Sequence, residues 1–179
     1  MADETDRKTL EERHQMSDLD RLRHSCAHVL ATAVSRIWPD AQFAAGPPVE
    51  GGFYYDVDLK HRISPDDFPQ IEAEMKKVVK ENSSFERMVV SRDEAMSLAK
   101  AGRLAAVSER EVESVFKVDL LNDIPEDEEI SIFKNGDFWD LCAGPHVGRT
   151  GNCKAFKVMS VASAFYKGCL LYTSPSPRD

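Results

Sequence analysis

The sequence predicts the α/β class in its α+β form, a mainly antiparallel sheet with flanking helices. Three observations carry this. Leu19, Leu22, Cys26, Leu30, Ala33 and Ile37 recur at helical spacing. Asn135-Gly136 lies between two apolar runs, the strongest short-range signal for a hairpin. Between these stretches, short alternating runs are interleaved with helix-start signals at Ser64-Pro65 and Ser91.

The first helix opens at Ser17, which with Asp20 three residues on resembles a capping box, and Pro39 ends it. At about 100° per residue, His24 and His28 fall on the face opposite the apolar stripe, continued by Ala31 and Ser35. Small residues beside two imidazoles predict that this face borders a cleft. The segment from Gly46 to Gly52 reads as a loop, and Phe53 to Leu59 as a strand with Phe53, Tyr55, Val57 and Leu59 on one face. Ser64 and Pro65 start a helix whose buried stripe is Phe68, Ile71, Met75 and Val78. Phe85 to Val90 reads as a strand, and Ser91 with Glu94 forms a capping box for a short helix ending near Gly102. Ser108 to Leu121 suits a helix through Val112, Val115 and Val118, while its β-branched content also suits a strand. The hairpin follows as Ile130–Lys134, an Asn135-Gly136 turn, and Asp137–Cys142, and a last strand is expected over Ala155 to Tyr166. No internal repeat is present.

The chain has 179 residues, room for one domain with a core of its own, and its 42% apolar and 30% charged content is ordinary for a globular protein. No apolar run approaches the roughly 18 residues of a membrane span, so no membrane partner is expected. The charged opening Met1–Lys8 lacks the apolar core of a signal peptide, and a cytoplasmic protein is expected. Cys26, Cys142, Cys153 and Cys169 show no disulfide-dense spacing and are expected as thiols. A net charge of −8 excludes a generally basic nucleic-acid binder but leaves room for a local basic surface. The acidic run Asp123–Glu129 is read as a solvated loop.

The candidate chemistry lies in two clusters, His24-Ser25-Cys26-Ala27-His28 and Asp140-Leu141-Cys142-Ala143-Gly144-Pro145-His146. The strand period puts Phe138, Asp140 and Cys142 on one face, and the Gly144-Pro145 turn then delivers His146. His24, His28, Cys142 and His146 make a four-ligand set suited to zinc, and the same groups without metal could activate water. Plainer readings stand beside these. His-x-x-x-His fits a polar helix face, Cys142 a buried small hydrophobe, and Asp140 a surface carboxylate beside a turn. Lys117, inside Val115-Phe116-Lys117-Val118, fits a lysine with a buried stem and a solvated head, and Tyr55 fits a core aromatic.

Taken in order, Arg23-His24-Ser25-Cys26-Ala27-His28, Gly46-Pro47, Gly52-Phe53-Tyr54-Tyr55-Asp56, Phe138-Trp139-Asp140-Leu141-Cys142-Ala143-Gly144-Pro145-His146 and Thr150-Gly151 resemble the editing region of bacterial threonyl-tRNA synthetases, of the form that lacks a ubiquitin-like domain. The resemblance covers roughly residues 18 to 168. It implies the fold shared by the editing domains of threonyl- and alanyl-tRNA synthetases, and hydrolysis of serine misattached to tRNA(Thr), with the tRNA acceptor end as partner. It implies that His24 and Lys117 place water and the ribose oxygens and that Asp140 recognises the aminoacyl group. Cys142, His146, His28, Tyr55 and Gly46 then shape the pocket. The related alanyl-type deacylases use the His-x-x-x-His and Cys-x-x-x-His set to hold zinc, whereas the threonyl type needs none. A zinc-dependent alanyl-type deacylase and a non-catalytic tRNA-binding module are therefore the competing readings. Arg21, Arg23, Lys60, Arg62 and Arg149 are candidate contacts for the acceptor strand.

The expected organisation is a flexible or helical leader over 1–17, an editing domain over 18–168, and a tail over 169–179. In that tail the family pattern is lost, and the sequence resembles a translated adapter read-through more than a natural Ser/Pro tail, so no function is expected of Cys169. The aminoacylation core of the family, with its ATP, its zinc and its homodimer contacts, is expected outside this chain.

Overall fold

The computed structural model describes residues 11–12, 15–166 and 169–176, with side chains described as far as residue 163. Residues 1–10, 13 and 14 of the expected leader lie outside that set. Helix α1 spans Asp18–Ile37, and the Ser17 hydroxyl accepts from the Asp20 amide as the capping signal predicts. Two short hairpin-like pairs follow: β1 (Gln42–Phe43) with β4 (Val57–Asp58), and β2 (Pro48–Val49) with β3 (Gly52–Phe53), both antiparallel. The expected loop at 46–52 thus contains a small β pair, and the expected strand at 53–59 is interrupted. Its alternation is nevertheless right: Phe53, Tyr55, Val57 and Leu59 are all buried.

A 3-10 turn at Pro65–Asp67 leads into α2 (Phe68–Glu81), which buries Ile71, Met75 and Val78 and half-buries Phe68. Strand β5 (Phe85–Val90) and helix α3 (Arg92–Lys100), with its Ser91/Glu94 capping box, stand where expected. The ambiguous segment resolves into an irregular stretch and then α4 (Val115–Asp123). Its apolar positions do not define the buried face. Val112 is 61% exposed and Val115 is 39% exposed, whereas Lys117 and Leu121 are buried.

Strands β6 (Ile130–Asn135) and β7 (Phe138–Leu141) pair antiparallel, and β5 lies on the other side of β6. The turn sits one residue later than the Asn-Gly signal suggests. Asn135 is still in the ladder opposite Phe138, and Gly136 takes the positive φ of 58° that a tight hairpin turn needs at its first position. Asn135 stays because it is useful inside: its Nδ2 donates to Thr32 Oγ1 on α1 at 3.0 Å, with both residues buried.

The hairpin divides the apolar interior. Ile130, Ile132, Trp139 and Leu141 face α3 and α4 and build one core. Phe138, on the opposite face, joins the larger core around α1, α2 and the Phe53–Leu59 segment. Helix α1 is enclosed from Ser25 to Ser35. The cleft expected along His24, His28, Ala31 and Ser35 is therefore not there: Ala31, Ser35 and His28 are at most 2% exposed. The small side chains admit neighbouring protein rather than a ligand, and only the His24 end reaches the surface.

The last expected strand begins later, as β8 (Ser160–Tyr166), and Cys169–Ser176 of the expected tail forms β9 against it. Strand β9 also meets β4 at Val57↔Thr173, so unsatisfied ladder groups of two elements find partners there.

Candidate functional site

Strand alternation on β7 sends Asp140 inward, and the same face continues to Cys142, as the period of two requires. Helix α1 brings His24 and His28 against them, so the two sequence clusters meet. His24 Nε2 lies 3.0 Å from Cys142 Sγ, and Cys142 Sγ lies 3.4 Å from His146 Nε2. His146 is reached through the Gly144-Pro145 peptide, which is cis. The Gly144 amide donates to Cys142 Sγ at 3.3 Å.

His146 is packed among rings. It stacks on His24 with centroids 4.4 Å apart and on Phe85 at 4.7 Å, while His28 and Phe133 meet it edge-on. Burial among these rings, reinforced by His28 and His24, holds the His146 imidazolium far below its usual range. His28 is 2% exposed, and burial followed by repulsion from Lys117 lowers its pKa to about 3. Both rings are neutral at pH 7, so the 3.6 Å approach of His28 Nε2 to Asp140 Oδ2 is not an ion pair.

Beneath this layer is a second, fully buried one. Lys117 Nζ donates to Ala44 O at 3.1 Å and to Tyr55 Oη at 3.0 Å, and it lies 3.1 Å from Asp140 Oδ1. Tyr55 Oη donates in turn to Asp140 Oδ2. Burial, then the charge of Asp140, raises the Tyr55 phenol well above its usual range, so it remains a donor. Two plain readings fail here. Asp140 is 0% exposed, not a surface carboxylate, and the Lys117 head is buried with its stem at 2% exposure. Helix α4 turns Lys117 inward, where a carboxylate, a phenol and a carbonyl meet its ammonium, partners that the local sequence does not reveal.

Gly46 belongs to the same structure. Its carbonyl accepts from His24 Nδ1 at 3.3 Å, and a Cβ on it would sit 2.5 Å from the Tyr55 ring. The structure thus brings together all eight residues singled out in the sequence: His24, His28, Gly46, Tyr55, Lys117, Asp140, Cys142 and His146. Sequence reasoning missed Ser25, whose hydroxyl touches both His146 and the Val147 amide, and missed Phe85 and Phe133. Ser25 had one available signal, its place between the two histidines. The phenylalanines had none, because any strand carries such residues. Of the candidate acceptor-strand cations, Arg21 and Arg23 are half-buried on the first turns of α1 beside His24, while Lys60, Arg62 and Arg149 are exposed.

The four groups His24, His28, Cys142 and His146 each offer a ligand atom, all within 4.8 Å of one another. His28 Nδ1 is buried without a hydrogen-bond partner, an orphan atom a cation would satisfy. Three imidazoles and a thiol are a donor set that fits zinc. Bound there, zinc would hold Cys142 as thiolate, and with all four protein ligands engaged the usual fourfold coordination is complete. Cys26, Cys142 and Cys153 are not in disulfides.

A dense His/Cys cluster thus lies over a buried Lys–Tyr–Asp network, held between a helix and a hairpin. Residues 130–168 match the threonyl and alanyl tRNA synthetase second additional domain. Within that class the chain is similar to threonine–tRNA ligases, a family of aminoacyl-tRNA synthetases in protein biosynthesis. It is 46% identical over 150 residues to the Geobacillus kaustophilus enzyme, covering 84% of this chain and 22% of that protein. It is 47% identical over 149 residues to the Acetivibrio thermocellus enzyme, with 83% and 22% covered. It is 48% identical over 146 residues to the Clostridioides difficile enzyme, with 82% and 21% covered. The chain therefore spans about a fifth of the length of these relatives. Among the described residues no helix is long and apolar enough to cross a membrane.

Proposed function

We propose that this chain is the editing part of a threonine–tRNA ligase and hydrolyses the ester of serine misattached to tRNA(Thr). The observation that carries the reading is the layered site: half-exposed His24, Cys142 and His146 at the surface end of α1, above the buried Lys117–Tyr55–Asp140 relay. The need for such a site is energetic. Serine and threonine differ by one methyl, which a synthetic pocket discriminates by only about 1–3 kcal/mol. A second, hydrolytic pocket that admits the smaller residue removes the error.

Ester hydrolysis needs a placed water, a group to take its proton, and a donor for the leaving ribose oxygen. His24 is the ring with a route to solvent. Its Nδ1 donates to Gly46 O, so its Nε2 carries the ring's lone pair, which faces Cys142 Sγ at 3.0 Å and takes the water proton when the single thiol proton is on the His146 side. Lys117 and Tyr55 hold Asp140 oriented, and Asp140 meets the amino end of the seryl group when the pocket opens. Lys117 also polarises the ribose oxygens. Cys142, His146 and His28 shape the remaining wall. The acceptor end enters as a single strand past Arg21 and Arg23.

In the parent protein, joining of threonine to tRNA(Thr) with ATP, and a homodimer in the cytoplasm, belong to regions outside this chain. The domain limits 18–168 and the read-through origin of 169–179 are part of the same proposal.

The test is release of serine from Ser-tRNA(Thr) by the purified chain, with Ser-tRNA(Ala) in parallel. Hydrolysis of Ser-tRNA(Thr) that survives chelation supports the reading. The four-ligand cluster favours one alternative, a zinc-dependent alanyl-type deacylase, which would instead prefer Ser-tRNA(Ala) and fail after chelation. Tight binding of either tRNA without release would mark a binding module.

A further inference from the structure

Ser25 is completely buried on α1 between the two histidines. Its Oγ makes three contacts: 2.8 Å to Arg21 O, 3.0 Å to His146 Nδ1, and 2.9 Å from the Val147 amide nitrogen. A hydroxyl has one proton and two lone pairs. A carbonyl oxygen can only accept, so the contact with Arg21 O takes the proton, in the back-bonding pattern common to serines in helices. A backbone amide can only donate, so Val147 occupies one lone pair. The remaining lone pair faces His146 Nδ1, which must then carry a hydrogen.

We propose that Ser25 is a positioning residue that fixes His146 as the Nδ1–H tautomer and so aims its Nε2 lone pair at Cys142. The Gly46 carbonyl, which can only accept, does the same for His24 Nδ1 at 3.3 Å. Two imidazole lone pairs thereby converge on one sulfur from 3.0 and 3.4 Å. The Cys142 thiol has one proton, and it bonds one of the two rings while the Gly144 amide donates to its sulfur. The two rings belong to different elements, α1 and the segment after β7, and Ser25 joins them: the same hydroxyl holds the backbone at Val147 and the ring at His146. Outer partners that set an imidazole's tautomer and orientation matter to a site nearly as much as the ring itself. This inference takes its consequence for catalysis from the proposed ester hydrolysis, but the tautomer stands apart from it.

The experiment is long-range 1H–15N correlation of the histidine side chains in the 15N-labelled full chain. The expected result in the unsubstituted protein is a protonated Nδ1 and a bare Nε2 for His146. A protonated Nε2 there overturns the proposal without any variant. Ser25→Ala should change the His146 spectrum to a mixture of tautomers or to Nε2–H, and Ser25→Thr, which keeps the hydroxyl, should retain the original form. A folded Ser25→Ala protein with unchanged His146 tautomer also overturns it. Serine release should fall by roughly tenfold in Ser25→Ala and less in Ser25→Thr. An Nδ1–H His146 in a protein that releases no serine leaves the tautomer inference intact and sinks the hydrolytic reading alone.

Discussion

The two layers of the site share histidines but differ in burial and in charge. The upper layer, His24, Cys142 and His146, is half-exposed and its polar atoms meet at one sulfur. The lower layer, His28, Tyr55, Lys117 and Asp140, is at most 2% exposed and contains a full ion pair. In the lower layer a charge without its partner is costly, because desolvation is already complete. In the upper layer, loss of one ring costs packing that water and neighbours partly replace. The two layers should therefore respond differently to substitution: loss of a lower-layer partner should cost stability as well as the proposed chemistry, and loss of an upper-layer ring mainly the chemistry.

Lys117→Met is the strongest way to break that division. It leaves Asp140 as a buried, unpaired carboxylate, and about 3–5 kcal/mol of stability should be lost by urea unfolding. Adding Asp140→Leu should restore much of it while serine release stays absent. His24→Ala should do the reverse. Serine release should fall by about 10²–10⁴-fold, with the unfolding free energy lowered by only about 1 kcal/mol. Normal turnover in His24→Ala would sink its assignment as the proton acceptor.

Gly46→Ala tests the joint between the layers. The added methyl meets the Tyr55 ring, so about 1–3 kcal/mol of overpacking is expected in thermal unfolding, together with a lost Tyr55–Asp140 bond.

Acid sharpens the comparison further. His28 titrates at about 3 when folded and near 6.5 when unfolded, so between those values the unfolded chain binds more protons. Stability contributed by the neutral ring is complete above pH 6.5 and is lost as pH falls through that window. The slope should approach about 1.4 kcal/mol per pH unit for each such ring, and His146 acts in the same direction. Unfolding measured from pH 7 to pH 4 should show it, and a flat profile would refute the buried neutral state.

The smallest effect lies outside both layers. On the other face of the hairpin Lys134 Nζ sits 3.7 Å from the Trp139 ring centroid, with Arg103 at 4.2 Å. Lys134→Ala should cost about 0.5–1 kcal/mol and leave serine release unchanged.

Much of this could be read from residue order because the signals are local. The Ser17 cap, the Ser91/Glu94 box and the alternation that puts Asp140 with Cys142 depend on neighbours a few residues away, and each stands in the structure. Local periodicity could not show which face of α4 turns inward. Of the three valines that suggested the helix, Val112 and Val115 are exposed and Val118 packs on the second core, while Lys117 is buried against Asp140, far away in the chain. Nor could it show that the small face of α1 would be covered, since Ala31 and Ser35 fit a cleft and a close packing equally.

The order of the chain was enough to read most of the helices, the hairpin and the likeness to threonine–tRNA ligases, and to single out the residues that the structure brings together, because capping, period and motif are properties of short segments. Packing alone set the burial of Lys117 and Asp140, the neutrality of His28 and His146, and the role open to Ser25. Those properties arise from desolvation and from hydrogen-bond partners supplied by other elements, and no short segment contains them.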